Sequence, residues 1–183
     1  MNLDSVIEIL RTDDGSLPDI NINYGDACVA GVAYALIQDK ASTLVSTGAY
    51  YWSKSKNREF PIIFGENPAN ELLRGDAEAF HVVFGGIRSS TGALVPDLGV
   101  FILGPNYVAL DYRMGSGWNK CAIIGLFEIL RDLSHLSPRV AITHEHNIYD
   151  PAGEILMKTF HSWLAANKAL HTDSEDAARP PLE

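Results

Sequence analysis

The stretch Tyr107-Val-Ala-Leu-Asp-Tyr-Arg-Met-Gly-Ser-Gly-Trp118, continued by Asn119 to Ser134, decides the fold. Val108, Leu110, Tyr112 and Met114 alternate with their neighbours, the period of a strand with one buried face. Gly115-Ser-Gly117 then breaks the strand. Ile123, Ile124, Leu126, Phe127, Ile129, Leu130 and Leu133 follow at helical spacing and cover more than one face, so the helix is packed deeply. Upstream, Leu98 to Leu103 is a second strong strand. Gly104-Pro105-Asn106 joins the two as a hairpin.

Working outward, Leu3, Val6, Ile7 and Leu10 predict an amphipathic helix over 3–12, ended by Asp13-Asp14-Gly15 and by Pro18. Ile20 and Ile22 alternate with polar residues as a short strand. Asp26 is placed to cap a helix running to about Gln38, whose small apolar residues imply packing on both sides; a buried strand over 28–37 competes with it. Thr43 to Trp52, Phe60 to Phe64 and Phe80 to Arg88 are further strands. Pro61 places the second at an edge or makes it short, and Gly85-Gly86 suggests a bulge or a close backbone approach in the third. One or two helical turns are expected around Asn70-Glu-Leu-Leu73. Pro138 precedes a strand over 139–143, and Leu156, Phe160, Trp163 and Leu164 predict a helix from Ala152 to Asn167. The expected class is α+β: a mixed, mainly antiparallel curved sheet with helices packed at its face and ends. Residues 1–171 form a single globular domain, and the polar 172–183 are expected to be a disordered tail.

The chain has 183 residues, 46% of them hydrophobic, which is enough to bury a core without metal or disulfide staples. Cys28 and Cys121 lie in apolar surroundings and are expected to be buried free thiols in a reducing cytosol. The amino-terminal residues lack a signal-peptide pattern, and no apolar run reaches the ~20 residues of a membrane helix. The expected location is therefore the cytoplasm. The net charge of −9 is uneven: residues 1–26 carry six acids and one arginine. An acidic surface disfavours nucleic acid and anionic membranes and suits a basic protein partner.

No motif fixes a chemistry. His144 and His146 share a strand face, with Asp150 four residues on, and form the best candidate metal set. Asp111 and Arg113 stand two apart on one strand face, as a structural ion pair or as the lining of a cleft. Gly-Ser-Gly is neither a phosphate loop nor a nucleophile elbow. No cofactor is implied. Tyr50-Tyr51-Trp52 form an aromatic ridge beside the basic turn Ser53–Arg58 and, with Asp13, Asp14, Asp19 and Asp26, are the candidate partner-binding residues.

The size, the acidity and the stretches Pro96-Asp-Leu-Gly-Val100 and Leu110-Asp-Tyr-Arg-Met-Gly115 resemble bacterial immunity proteins encoded beside secreted polymorphic toxins. The resemblance covers residues 95–134. It implies a non-enzymatic protein that binds one toxin and blocks its active site. The partner would be a cognate protein toxin with a basic surface. The alternative is a small metal-dependent or acid–base enzyme built on the His144/His146 region. A third reading is a module that forms a homodimer through the small-residue segment 27–37.

Overall fold

The structure, a computed structural model, describes residues 2–145 and 151–176. Five helices are α1 (Leu3–Leu10), α2 (Ala30–Lys40), α3 (Ala69–Leu73), α4 (Lys120–Ser134) and α5 (Ala152–Asp176). Ten strands are β1 (Asp19–Asn23), β2 (Thr43–Leu44), β3 (Tyr50–Ser53), β4 (Arg58–Pro61), β5 (Phe80–Gly85), β6 (Ile87–Arg88), β7 (Leu94–Val95), β8 (Leu98–Gly104), β9 (Tyr107–Tyr112) and β10 (Ala141–His144). Six strands form one sheet in the order β10-β1-β9-β8-β5-β2, and β3–β4 and β6–β7 are separate two-stranded ladders. Every ladder is antiparallel. The α+β class and the mainly antiparallel sheet are as the alternation of apolar residues requires.

The sheet has two unlike faces. Ile20 and Ile22 of β1, Val82 and Phe84 of β5, Val100 and Ile102 of β8, and Val108 and Leu110 of β9 are fully buried. They join Tyr34 and Ile37 of α2 and Ile123, Leu126, Phe127 and Leu130 of α4 in one core. Each such side chain contributes about 1.5–3 kcal/mol on burial. Helix α4 lies at the centre of the helical layer, in contact with α1, α2, α5 and the β6–β7 ladder. Asn119 caps it by accepting from the Ala122 N–H at 3.0 Å. Gly125 lets Val95 and Ala93 approach its backbone. The buried Glu128 accepts from the backbone N–H and the hydroxyl of Thr91, at 3.2 and 3.0 Å, which ties the β6–β7 turn to the helix.

The turn between β9 and α4 is pinned at both ends. Gly115 has φ +144°, a conformation L side chains rarely adopt. Its N–H donates to the Leu10 carbonyl at 2.8 Å, fastening the end of α1. The fully buried Trp118 donates its indole N–H to the Arg113 carbonyl at 2.8 Å and packs edge-on against Tyr112.

Several local expectations change. Helix α2 starts at Ala30 with Val29 as its uncapped N-cap, so the small-residue run is helix and Asp26 is not its cap. Asp26 instead meets Arg139 at 2.9 Å in an exposed ion pair, a contact worth ~1 kcal/mol at most. Val32 is 54% exposed, so α2 is packed on one side, not both. Gly85-Gly86 is a close approach, not a bulge: a side chain at 85 would meet Val45 and one at 86 would meet Ser42, and Gly86, at φ +62°, turns the chain out of the main sheet and into β6. Strand 43–52 is broken into β2 and β3 by residues 45–49. Cys28 and Cys121 are free but exposed. Cys28 precedes α2 in an irregular segment, and Cys121 lies in the first turn of α4 outside its buried set. Helix α5 is described to Asp176; residues 177–183, the rest of the tail expected from 172, lie outside the described residues.

Asp132 on α4 meets Lys40 at the end of α2 at 2.9 Å, accepts from Ser90 of the β6–β7 turn at 3.0 Å, and binds Arg131. Burial alone would raise its carboxyl, but the bonds to Lys40, Arg131 and Ser90 outweigh it and hold the carboxyl below its ordinary value. A lowered folded-state value gives stability that is present above the unfolded value and lost as pH falls through the folded one. Asp132→Asn is therefore expected to be less stable than wild type near neutral pH, with the gap closing in acid. Urea unfolding at several pH values measures it; a gap that widens in acid would refute the assignment.

Candidate functional site

The opposite face of the sheet is where the unusual side chains gather. Alternation places on it Asp19, Asn21 and Asn23 of β1, His81 and Val83 of β5, Gly99, Phe101 and Leu103 of β8, and Tyr107, Ala109 and Asp111 of β9. Ala141 and Thr143 of β10 lie on it beside β1. Among these outward residues there is no lysine or arginine.

Its centre is a carboxylate–imidazole pair. Asp111 lies opposite Gly99 on β8 and Asp19 on β1. Its carboxylate occupies the space a side chain at position 99 would fill, and so reaches across β8 to His81 on β5. Asp111 Oδ2 and His81 Nε2 are 2.7 Å apart. A carboxylate only accepts, so Nε2 carries the proton. The imidazole stacks on the Phe101 ring with centroids 4.0 Å apart. Asp111 is buried, whereas the His81 side chain is one-third exposed. Asp111 forms no ion pair with Arg113: β9 ends at Tyr112, and Arg113 is exposed beyond it. The spacing of two was right for the strand, but the strand stops before its second member.

Around this pair the face is acidic. Asp19 has its carboxyl raised above the ordinary value, first by partial burial and then by the nearby charges of Asp111 and Glu145, with His81 and His144 pulling the other way. The Glu145 N–H donates to the Asp19 carbonyl at 2.8 Å, so Glu145 extends the β10 edge beside it. Tyr107 donates its hydroxyl to Asn21 Oδ1 at 2.7 Å. Ala109, opposite Asn21 on β1 and Phe101 on β8, is buried, so neighbouring side chains cover it and form the surface of the platform. Beyond His81 and Phe101 the platform descends into a cleft of about 490 Å³ lined by Ser46, Thr47, Tyr50, Phe80 and Leu103 among others.

The sequence candidates divide across this geometry. Asp19 lies on the acidic platform, and the half-exposed Tyr50 lines the cleft next to it. Tyr51 turns away: it stacks on Phe60 at 5.7 Å and contacts Phe80, with its hydroxyl raised by burial and then by the acids Glu71, Asp76 and Glu66. Trp52 is half-buried in β3. Asp13 and Asp14 are exposed in the loop before β1, where Asp14 accepts from the Ser16 N–H at 2.9 Å. Asp26 is with Arg139, past the far end of β1. The basic turn is held by Asp76, which accepts from Ser53 and from the Ser55 N–H at 2.8 and 2.7 Å.

Of the candidate metal set, His146 and Asp150 lie outside the described residues. His144 lies on the helix side of the sheet, opposite Ile20. Its Nδ1 donates to the Glu145 carbonyl at 2.9 Å, and its Nε2 shares a hydrogen bond with the Tyr112 hydroxyl at 2.8 Å. Gly153 makes room for the ring. Both nitrogens are thus engaged. Among the described residues no group of three His, Cys, Asp or Glu side chains is placed to hold a metal ion, and no helix is long and apolar enough to cross a membrane.

The sequence reading missed His81, Phe101, Gly99 and Glu145 as members of one site. The available signal was the alternation Phe80-His81-Val82, a polar residue at the outward position of a buried strand.

Two expectations follow. A raised folded-state carboxyl costs stability while it is ionised, and that cost disappears as pH falls below the unfolded value. Asp19→Asn should therefore be more stable than wild type at pH 7, with the difference shrinking toward pH 4; a less stable variant at pH 7 contradicts the like-charge account. Gly99→Ala puts a methyl group where the Asp111 carboxylate lies, at an expected cost of about 1–3 kcal/mol. Adding Asp111→Ala should recover part of that loss, and strictly additive losses in the double-mutant cycle would show that the two positions do not collide.

No family model matches this chain, and no curated protein matches it. Among solved structures it is similar to a chain of a 1.75 Å crystal structure described as the toxic C-terminal tip of CdiA from Pseudomonas aeruginosa in complex with immune protein. That likeness has 15% sequence identity and a TM-score of 0.45, and it covers 71% of this chain and 88% of the other.

Proposed function

We propose that this chain is a non-enzymatic immunity protein that binds a cognate bacterial toxin and neutralises it by covering the toxin's active site. The observation that supports this is the sheet face that no described element covers, which combines carboxylates, amides and aromatic rings and, among the described residues, no lysine or arginine. Five adjacent strands, ~4.8 Å apart and ~20 Å long, offer a platform of roughly 20 Å by 20 Å. That is about half of the ~800 Å² each partner buries in a standard protein complex. The cleft beside Tyr50 and the flanking loop 46–49 supply adjoining surface. A rigid backbone costs little ordering entropy on binding, and the acidic field speeds encounter with a basic partner. A toxin that acts on an anionic substrate has such a basic cleft, and an acidic platform competes for it.

The competing reading is an acid–base enzyme, and His81 held by Asp111 at the mouth of the cleft is what favours it. Stoichiometry separates the two. The protein encoded beside this gene should arrest growth when expressed, and co-expression of this chain should restore it. In vitro, inhibition of that toxin should rise linearly and saturate at one chain per toxin. Protection at strongly substoichiometric amounts points to catalysis, and no protection at any ratio removes the immunity reading for that pair.

A further inference from the structure

The partner chemistry of this face is more specific than positive charge. We infer that the acidic half of the uncovered sheet face, from Glu145 across Asp19 and Asp111 to Phe101, is a docking surface for an arginine side chain presented by the partner protein. For the identity of that partner the inference rests on the immunity reading; for its test it does not.

Three observations converge. The first is charge: Asp19 and Asp111 lie directly opposite one another in neighbouring strands, and Glu145 follows at the β10 edge. Among the described residues no lysine or arginine stands on the face to neutralise them. His81 engages one oxygen of Asp111 and leaves the other as an acceptor. Partial burial first, and then the like charges of Asp111 and Glu145, disfavour ionisation of Asp19 in the free protein, so an incoming cation relieves a repulsion that geometry already places there. The second is shape. The central positions are Ala109, which is buried, and Gly99, whose side-chain space the Asp111 carboxylate fills, so neither position carries a large side chain of its own to keep a planar group away. The third is the ring. Phe101 is half-buried and braced by His81 at 4.0 Å, so it is held for stacking at little entropic cost. A guanidinium satisfies all three: it is cationic, planar, forked toward carboxylates and weakly hydrated enough to lie on a ring. An ammonium satisfies only the first.

The test uses the whole protein, isotope-labelled, titrated with an oligo-arginine peptide and, separately, an oligo-lysine peptide of the same length. The expected result is that oligo-arginine shifts the amide resonances of Asp19, Ala109, Asp111, Phe101 and Glu145 and binds several-fold more tightly than oligo-lysine. Asp19→Asn with Glu145→Gln should weaken oligo-arginine binding several-fold. Asp13→Asn with Asp14→Asn removes the same charge outside the face and should leave affinity nearly unchanged. Equal losses from the two double variants would mean bulk attraction to an acidic protein and would overturn the inference. So would shifts that map to the 11–18 loop, or equal affinity for the two peptides. Because no toxin enters this experiment, a missing toxin would remove the immunity reading and leave this result standing. A toxin bound equally well by the face variants would do the reverse.

Discussion

The alternation along β9 is the constraint on which the rest depends. Val108, Leu110 and Tyr112 face the helices, and Tyr107, Ala109 and Asp111 face outward. Because β1 pairs with β9 residue for residue, and β8 does so from Leu98 to Ile102 before a register shift at Leu103, its division into faces is imposed on them, and through β8 on β5. A slip of one residue would send Leu110 out and Asp111 in. The core resists that slip, since it would take the Asp111 carboxylate away from His81 into the apolar core beside Val100 and expose Leu110. The anchoring of Gly115 and Trp118 then fixes where β9 ends and α4 begins. Packing on one face thereby determines which residues are offered on the other.

This explains why the fold was legible in the sequence and the site was not. The hairpin of β8 and β9, the helices α1, α4 and α5, and the existence of a mainly antiparallel sheet all follow from apolar periodicity, a local signal. Elements set by a single glycine were harder. Gly86 turns the chain into a new ladder where a bulge also fits the sequence, and residues 45–49 interrupt what looks like one continuous strand. The pairing of Asp111 with His81 depends on three strands and on the absence of a side chain at Gly99. No spacing along the chain encodes it, and the nearer partner Arg113 was the natural but wrong choice. Exposure of Cys28 and Cys121 failed for a related reason: apolar neighbours predict burial only if the residue shares their face.

Among the seven residues first proposed for partner binding, physical role separates what composition had grouped. Asp26 is matched by Arg139, and Tyr51 is committed to Phe60 and Phe80. Asp14 already holds its own turn through Ser16. A charge or ring that is satisfied within the chain has less to gain from a partner. Asp19 differs, since the charges of Asp111 and Glu145 near it have its own sign.

Replacing Asp19 by a neutral residue would relieve this repulsion. A docked cation would do the same, because repulsion in the free protein becomes attraction shared by several carboxylates in a complex. The same logic accounts for His81. By holding Asp111 across Gly99 it lets a carboxylate occupy the middle of a sheet face, where unpaired burial would be costly, without placing a fixed positive charge there. Arginine at position 81 would pair with Asp111 more firmly and would also neutralise the platform. An imidazole braces the carboxylate and leaves the face acidic, which is what a docking surface for a basic partner requires.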